Sequence, residues 1–117
     1  MTGAVSYYSG LQAEDQVARH YGVTGRTLAA RRWRGKAGEI DLIFREGAGL
    51  VFVEVKRAAS FARAAERLGA RQMRRIYGAA SEFLAGEPNG QNTDVRFDVA
   101  LVNGQGAIDI IENAISF

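Results

Sequence analysis

The most constraining feature of this sequence is the segment at residues 50–55, LVFVEV, in which β-branched and aromatic residues follow one another almost without interruption. A strand that is apolar on both faces is typical of the centre of a sheet whose two faces are both covered. In α/β proteins helices supply that cover. The segment therefore predicts a layered α/β fold with this strand near the middle of the sheet.

Residue periodicity predicts the other elements. Residues 39–44 alternate polar and apolar side chains and form a hairpin with residues 50–55 across a turn at 45–49. Apolar residues repeat at three and four positions over residues 70–85, which predicts an amphipathic helix. We also expect a helix at residues 10–21 and strands at residues 25–33, 95–102 and 107–111. The predicted order is αβββαββ, an α/β fold with a mixed central sheet flanked by helices, in a single domain at 1–117.

The composition limits which metals and locations are compatible with the chain. Cysteine is absent and His20 is the only histidine, which excludes disulfides and the usual zinc ligand sets. A bound metal must therefore take oxygen ligands. No apolar run approaches the roughly 18 to 20 residues of a membrane helix, and the N-terminus lacks the order of a signal peptide. We expect a cytoplasmic protein without a membrane partner.

Acidic residues interrupt the two apolar strands of the predicted hairpin. Glu54 and Lys56 project from one face, about 6.6 Å apart along the strand, because alternate strand residues share a face. Glu39 and Asp41 share a face of the neighbouring strand in the same way. Up to three carboxylates and one lysine are then expected to converge, and buried like charges are costly unless a cation compensates them. An exposed ion pair is the alternative, but an apolar central strand favours a Mg²⁺ site.

Arginine supplies all but two of the 15 basic residues and clusters at residues 31–36 and 63–75. Its planar guanidinium group matches phosphate, so the clusters are candidate contacts for a nucleic acid. For either cluster taken alone, a solvated surface is the favoured interpretation. The aromatic residues Trp33 and Tyr77, close to these clusters, are expected to pack in the protein rather than stack on bases. The predicted phosphate-binding residues are Arg31, Arg32, Arg34, Arg57, Arg71, Arg74 and Arg75.

Two motifs carry a family resemblance, GEIDLI at residues 38–43 and VFVEVKR at residues 51–57. Together they resemble the signature of the YraN family of bacterial proteins. That family is similar to the PD-(D/E)XK nucleases and to archaeal Holliday-junction resolvases. The resemblance covers nearly the whole chain, because it continues through RFDV at residues 96–99 to residue 114.

The resemblance implies a restriction-endonuclease-like fold, a Mg²⁺ or Mn²⁺ cofactor and a role for each motif residue. Asp41 and Glu54 are implied metal ligands, with the backbone carbonyl of Val55 as a third. Lys56 is implied to orient or activate the attacking water and to stabilise charge in the transition state. Glu14 matches an acid that such folds bring close to the metal. Resolvase-like proteins pair on two-fold junctions, which implies a homodimer.

The sequence departs from the family pattern at three positions. Gln72 stands where a lysine is usual in the long helix, which changes the expected role from charge pairing to hydrogen bonding. Arg32 stands where asparagine is common, and Ala37 where glycine is common. The role of Glu39 stays open between a catalytic group and a structural hydrogen-bond acceptor.

These features together predict a Mg²⁺-dependent DNA endonuclease that hydrolyses phosphodiester bonds, with a resolvase-like preference for branched DNA. The alternative is a nucleic-acid-binding or partner-binding module that retains the fold without turnover. A third reading treats the acidic cluster as an internal ion network that binds no metal.

Overall fold

The strand predicted to be central, β3 (Gly49–Arg57), occupies the middle of a five-stranded mixed sheet of order β1-β2-β3-β4-β5. It pairs antiparallel with β2 (Glu39–Glu46) and parallel with β4 (Val95–Val102). The outer strands β1 (Thr27–Arg34) and β5 (Ile108–Ile111) are both antiparallel to their neighbours. This computed structural model describes the backbone of residues 2–114 and the side chains of residues 12–114.

Helices cover both faces of the sheet, as the apolar β3 predicts. Helix α1 (Thr2–Val23) packs on one face, where Val17 and Tyr21 join Val51 and Val53 in a core. Helices α2 (Phe61–Glu66) and α3 (Ala70–Leu84) cover the other face, around Phe52. Alternate side chains of β3 thus enter two separate cores, which explains why its sequence is apolar throughout.

The architecture is that of a restriction-endonuclease-like α/β protein, and the predicted fold class is confirmed. The element order is αβββααββ, because a short helix, α2, precedes the predicted long helix. Ser60 caps α2 by accepting the backbone N–H of Arg63. A six-residue helix is too short to show a periodic pattern, so the sequence gives no sign of it beyond that cap.

Strand β1 begins two residues later than predicted, at Thr27, because Gly25 turns the chain with φ +88°. The pairing register between β1 and β2 shifts between Leu28 and Ala30, which is a β-bulge or similar irregularity. That shift moves one residue out of alternation, which explains the poor apolar pattern of this segment. None of the helices within residues 2–114 combines the length and apolar character needed to cross a membrane.

Candidate metal centre

The pairing of β2 with β3 ends where the acidic residues begin. Leu42 and Val53 form the last paired position, and beyond it the carboxylate of Asp41 replaces the partner strand. The Val55 backbone N–H donates to Asp41 Oδ2 over 2.8 Å. A side chain that takes over a strand hydrogen bond is held in one orientation. Asp41 is thereby fixed beside Glu54, the residue that precedes Val55 on β3.

Glu54 is a buried acid, 6% exposed, within hydrogen-bonding distance of Asp41. Burial raises the pKa of Glu54, and the neighbouring Asp41 carboxylate raises it further. The positive charge of Lys56 and a hydrogen bond from Gln72 act in the opposite direction but do not outweigh burial. Two carboxylates in this arrangement must share a proton or a cation.

Gln72 lies in the first turn of α3 and is half-buried. Its Nε2 donates to Glu54 Oε2 over 3.1 Å. The amide thus holds one oxygen of Glu54 in place, which is the hydrogen-bonding role expected for glutamine at this position. The contact links α3 directly to β3 across the candidate site.

Lys56 follows Glu54 by two residues on β3 and is half-buried. It lowers the pKa of Glu54 through its charge, so its ammonium group lies near the acids. Among the described residues it has no hydrogen-bond or ion-pair partner. Its donors are therefore available to a bound molecule.

Glu14, on α1, is buried and accepts two hydrogen bonds from Arg32, at 3.0 and 3.3 Å. Burial raises the pKa of Glu14, the Arg32 hydrogen bond opposes that shift, and Asp41 raises it again. Glu14 therefore lies close enough to Asp41 to sense its charge. Arg32 has φ +48°, a left-handed conformation that asparagine adopts more readily than arginine.

The donor set fits a hard divalent cation. The structure brings two of the predicted carboxylates together, Asp41 and Glu54, while Glu39 forms an ion pair with Arg34 over 3.1 Å. Over the described residues no three side chains of the histidine, cysteine, aspartate and glutamate types group as a metal site. Mg²⁺ is commonly held by one or two carboxylates and keeps several waters. The carboxylates of Asp41 and Glu54, with the Val55 carbonyl as the predicted third ligand, match this preference of Mg²⁺.

The predicted phosphate-binding arginines fall into two groups. Arg31, Arg32 and Arg34 on β1 form ion pairs with Asp15, Glu14 and Glu39, respectively. The arginines of the second group are exposed, and no carboxylate of the described residues lies within ion-pair distance of their guanidinium groups. It comprises Arg57 at the end of β3 and Arg71, Arg74 and Arg75 on α3.

The two aromatic residues near the arginines pack within the protein, as predicted. Trp33 meets Phe83 edge-on with ring centroids 5.4 Å apart. Tyr77 stacks on Phe97 at 5.0 Å. Both rings therefore already have an aromatic partner in the fold.

Glu82 on α3 is a structural residue that sequence reasoning did not identify. Its two carboxylate oxygens accept the backbone N–H groups of Lys36 and Ala37, at 2.9 and 3.0 Å. These two hydrogen bonds lower the pKa of Glu82. They attach the β1–β2 loop to α3 just before the strand that carries Asp41. The charge of an isolated glutamate on a helix gives no signal of such a contact.

Asp98 on β4 is a second missed residue, although it belongs to the RFDV motif. It is fully buried and accepts from Tyr21 Oη (2.7 Å), Arg96 Nε (2.8 Å) and Nη2 (3.0 Å), and the Asn113 backbone N–H (3.0 Å). The carboxylate ties α1, β4 and the segment after β5 together. An acid on an alternating strand is expected to face water, so the pattern does not reveal its burial.

Known proteins resemble this chain along most of its length. A model described as Uncharacterised protein family UPF0102 matches residues 13–102, which include both motifs. A UPF0102 protein of Cereibacter sphaeroides is 66% identical over 114 residues, 97% of each chain. Similar proteins of Ruegeria pomeroyi and Roseobacter denitrificans are 58% and 52% identical, over 96% and 97% of this chain and 91% and 88% of their own lengths.

Proposed function

The chain belongs to the uncharacterised protein family UPF0102, the YraN family that its motifs resemble, and we propose that it is a Mg²⁺- or Mn²⁺-dependent DNA endonuclease. One observation carries the proposal: the carboxylate of Asp41 meets the buried carboxylate of Glu54 close to Lys56, which has no ion-pair partner within the described part of the chain. Such an arrangement is costly for a purely structural site, because buried like charges repel. A divalent cation and an anionic substrate together balance it.

Asp41, Glu54 and the Val55 carbonyl would hold the ion. The ion supplies Lewis acidity toward a phosphodiester and increases the acidity of coordinated water. Gln72 keeps Glu54 oriented, and the Val55 N–H keeps Asp41 oriented. Lys56 presents its ammonium to the phosphate, where it stabilises negative charge that develops during hydrolysis.

Glu14 contributes a negative charge close to this site. It is buried, and Arg32 offsets part of its charge; the remaining negative potential acts on the neighbouring Asp41 although Glu14 is not itself a metal ligand in this proposal. That potential favours a cation between Asp41 and Glu54. Glu14 is therefore a positioning residue in this proposal.

A cleavage assay on branched, nicked, flapped and linear duplex DNA, titrated with Mg²⁺ and Mn²⁺, tests the proposal. We expect metal-dependent cleavage, with a preference for branched DNA, and a loss of about 100-fold or more in Asp41→Asn and Lys56→Ala. Arg19→Ser, an exposed change on α1, serves as a surface control and retains activity. Wild-type protein that cleaves none of these substrates with either metal would refute the proposal.

A second candidate is a DNA-binding module without turnover, and the unpaired arginines of α3 favour it. In that case wild-type protein binds DNA without cutting it, and binding persists in Asp41→Asn but falls when Arg71, Arg74 and Arg75 are replaced. Under either function we propose that the protein works in the cytoplasm. A homodimer would match the two-fold symmetry of a DNA junction.

A further inference from the structure

Two open cavities adjoin beside the metal centre and share Arg67. The first is lined on α3 by Arg71, Gln72 and Arg75, and it also includes Glu39. The second is lined by Arg63, Glu66 and Arg67 on and after α2. Since their linings share Arg67, we treat the two cavities together and call them the α2–α3 groove. Because Gln72 donates to Glu54, one end of the groove reaches the candidate metal centre.

The four arginines of this groove have no carboxylate partner in the described chain, in contrast to six other arginines of the fold. Arg63, Arg67, Arg71 and Arg75 are exposed, and within the described chain no carboxylate lies within ion-pair distance of their guanidinium groups. Carboxylates do pair with the arginines at other places in the fold, which are Arg26, Arg31, Arg32, Arg34, Arg45 and Arg96.

Two acids line the groove but do not neutralise it. Glu39 is engaged with Arg34 on β1, and Glu66 lies outside ion-pair distance of any described arginine. Four cationic side chains therefore face one depression with a net positive charge. Like charges gathered without partners repel, and an anionic ligand relieves that repulsion.

The spacing of the arginines indicates the form of that ligand. Arg63 and Arg67 are four residues apart along α2 and its C-cap, and Arg71 and Arg75 are four residues apart on α3. Each step is about one helical turn, with about 6 Å of rise. A row of guanidinium groups fits a chain of regularly spaced phosphates better than one isolated phosphate. The residues that line the groove in the described structure include no aromatic side chain, so contacts to the backbone are favoured over stacking on bases.

We propose that the α2–α3 groove binds the phosphate backbone of one DNA strand on one side of the metal centre. Arg71 and Arg75 then contact phosphates close to the cleaved bond, and Arg67 and Arg63 contact phosphates progressively farther along the same strand. The groove extends the DNA contact beyond the predicted arginines of α3 to α2. This inference rests on the proposed function, because it takes its direction from the candidate metal centre.

The test measures salt-dependent binding of a fluorescein-labelled oligonucleotide, single-stranded and duplex, by anisotropy in EDTA so that no cleavage occurs. Each arginine that contacts a phosphate contributes about one unit to the slope of log K against log salt concentration. We expect the slope to fall by about one unit in Arg67→Ser and about two in the double variant Arg63→Ser/Arg67→Ser. Arg67→Lys retains the charge and keeps the slope.

Arg19→Ser is the matched control, since Arg19 is exposed on α1 and has no ion pair in the described chain. It removes the same charge from the opposite face of the sheet and leaves the slope unchanged. Thermal unfolding of each variant verifies that the exposed substitutions preserve the fold. An equal loss of slope in Arg19→Ser, or an unchanged slope in the double variant, would refute the groove.

Together with the cleavage assay, this binding experiment separates the inference from the proposed function. If wild-type protein cleaves DNA and the double variant binds with an unchanged slope, the endonuclease stands and the groove is refuted. If the slope is lowered in the double variant but wild-type protein cleaves no substrate, the groove is supported and the endonuclease is contradicted. Displacement of the DNA by polyglutamate at lower concentration than by unlabelled DNA would make an acidic protein segment the occupant, and the proposal would fail.

Discussion

The contact between Asp41 and Glu54 is the residue-scale feature that most needs a chemical explanation. Both side chains have apolar residues on either side of them along their strands, and Glu54 is buried. Without a cation, one proton shared between the two carboxylates removes the repulsion. With a cation, both carboxylates are ionised. The protonation of this pair and its metal binding are therefore coupled.

The first prediction follows from the raised pKa of Glu54. In EDTA the folded protein holds this proton more tightly than the unfolded chain, whose glutamate has the ordinary pKa of 4.5. The contribution of Glu54 to the free energy of unfolding is thus fully present below pH 4.5 and is lost as the pH rises toward the raised pKa. Urea unfolding of wild-type protein and Glu54→Gln should show a stability difference that shifts against wild type with rising pH.

Glu54→Gln is itself the control for other titrating groups, because they contribute to both proteins alike. A stability difference that stays constant between pH 5 and about 8, or that moves in favour of the wild type, would contradict a raised pKa for Glu54. Adding Mg²⁺ should reduce the pH dependence of wild type, because the cation replaces the proton.

Asp98 leads to a second prediction at the same scale. Its carboxylate is fully buried and accepts four hydrogen bonds, two of them from Arg96. Asp98→Ala should lower the free energy of unfolding by about 3 to 5 kcal/mol, because it leaves the Tyr21 hydroxyl without its acceptor and removes the buried carboxylate that Arg96 pairs with, so that only the longer contact of Arg96 with Glu112 remains. Tyr21→Phe should cost about 1 to 3 kcal/mol. Denaturant unfolding measures both.

The matched comparison is Arg45→Ala, which removes an exposed ion pair with Glu87 and should cost no more than about 1 kcal/mol. If Asp98→Ala were as mild as Arg45→Ala, the buried network would not be what ties α1 and the segment after β5 to β4.

At the scale of elements, α3 fixes the loop that precedes Asp41. Glu82 accepts two backbone N–H groups of that loop, and Gly78 lets it approach closely. A Cβ atom on Gly78 would lie 2.7 Å from the Cβ of Ala37. The side chains at positions 37 and 78 therefore compete for one limited space.

The third prediction tests this close approach. Gly78→Ala should lower the free energy of unfolding by about 1 to 3 kcal/mol through overpacking, although alanine is the better helix former by about 1 kcal/mol. The double variant Gly78→Ala/Ala37→Gly exchanges the two side chains and should recover most of that loss. Thermal unfolding of both variants measures the difference.

Ala37→Gly alone provides the control, and it should cost less than about 1 kcal/mol. A Gly78→Ala variant that is more stable than wild type would show that the loop does not pack on α3 at this point.

An element could be predicted from the sequence when its own residues determine its structure. The burial of β3 could be predicted because its residues are apolar on both faces. The bulge of β1 and the positive φ of Arg32 depend on pairing with β2 and on Glu14 of α1, and α2 is too short for periodicity to appear. Elements set by their own side chains were predicted, and those set by distant partners were not.

The candidate site divides in the same way. Acids within apolar strands indicated that Asp41 and Glu54 would be sheltered, and the structure places them in contact. The ion pairs of Arg31 and Arg32 join residues 16 and 18 positions apart, and the Glu82 contacts span more than 40. Contacts between residues so far apart in the sequence are seen only in the folded chain. The burial of Asp98 could not be predicted, because strand alternation assigns Asp98 to a solvent-facing position.

At the scale of the whole molecule, the sheet separates two electrostatic environments. On the α1 side, Glu14 and Asp15 pair with arginines of β1. On the α2–α3 side, Arg63, Arg67, Arg71 and Arg75 have no carboxylate partner among the described residues, and they line the approach to Glu54. A DNA strand bound in the α2–α3 groove is therefore attracted toward the face on which Lys56 and Gln72 lie.

The fourth prediction is a calorimetric titration with Mn²⁺, which tests the central claim that Asp41 and Glu54 hold a divalent cation. Wild-type protein should bind Mn²⁺ saturably, and Asp41→Asn and Glu54→Gln should weaken binding by about tenfold or more, because each removes one charged ligand. Asp109→Asn, an exposed acid on the edge strand β5, should bind as wild type does. Equal binding by all four proteins, or none by wild type, would contradict the claim.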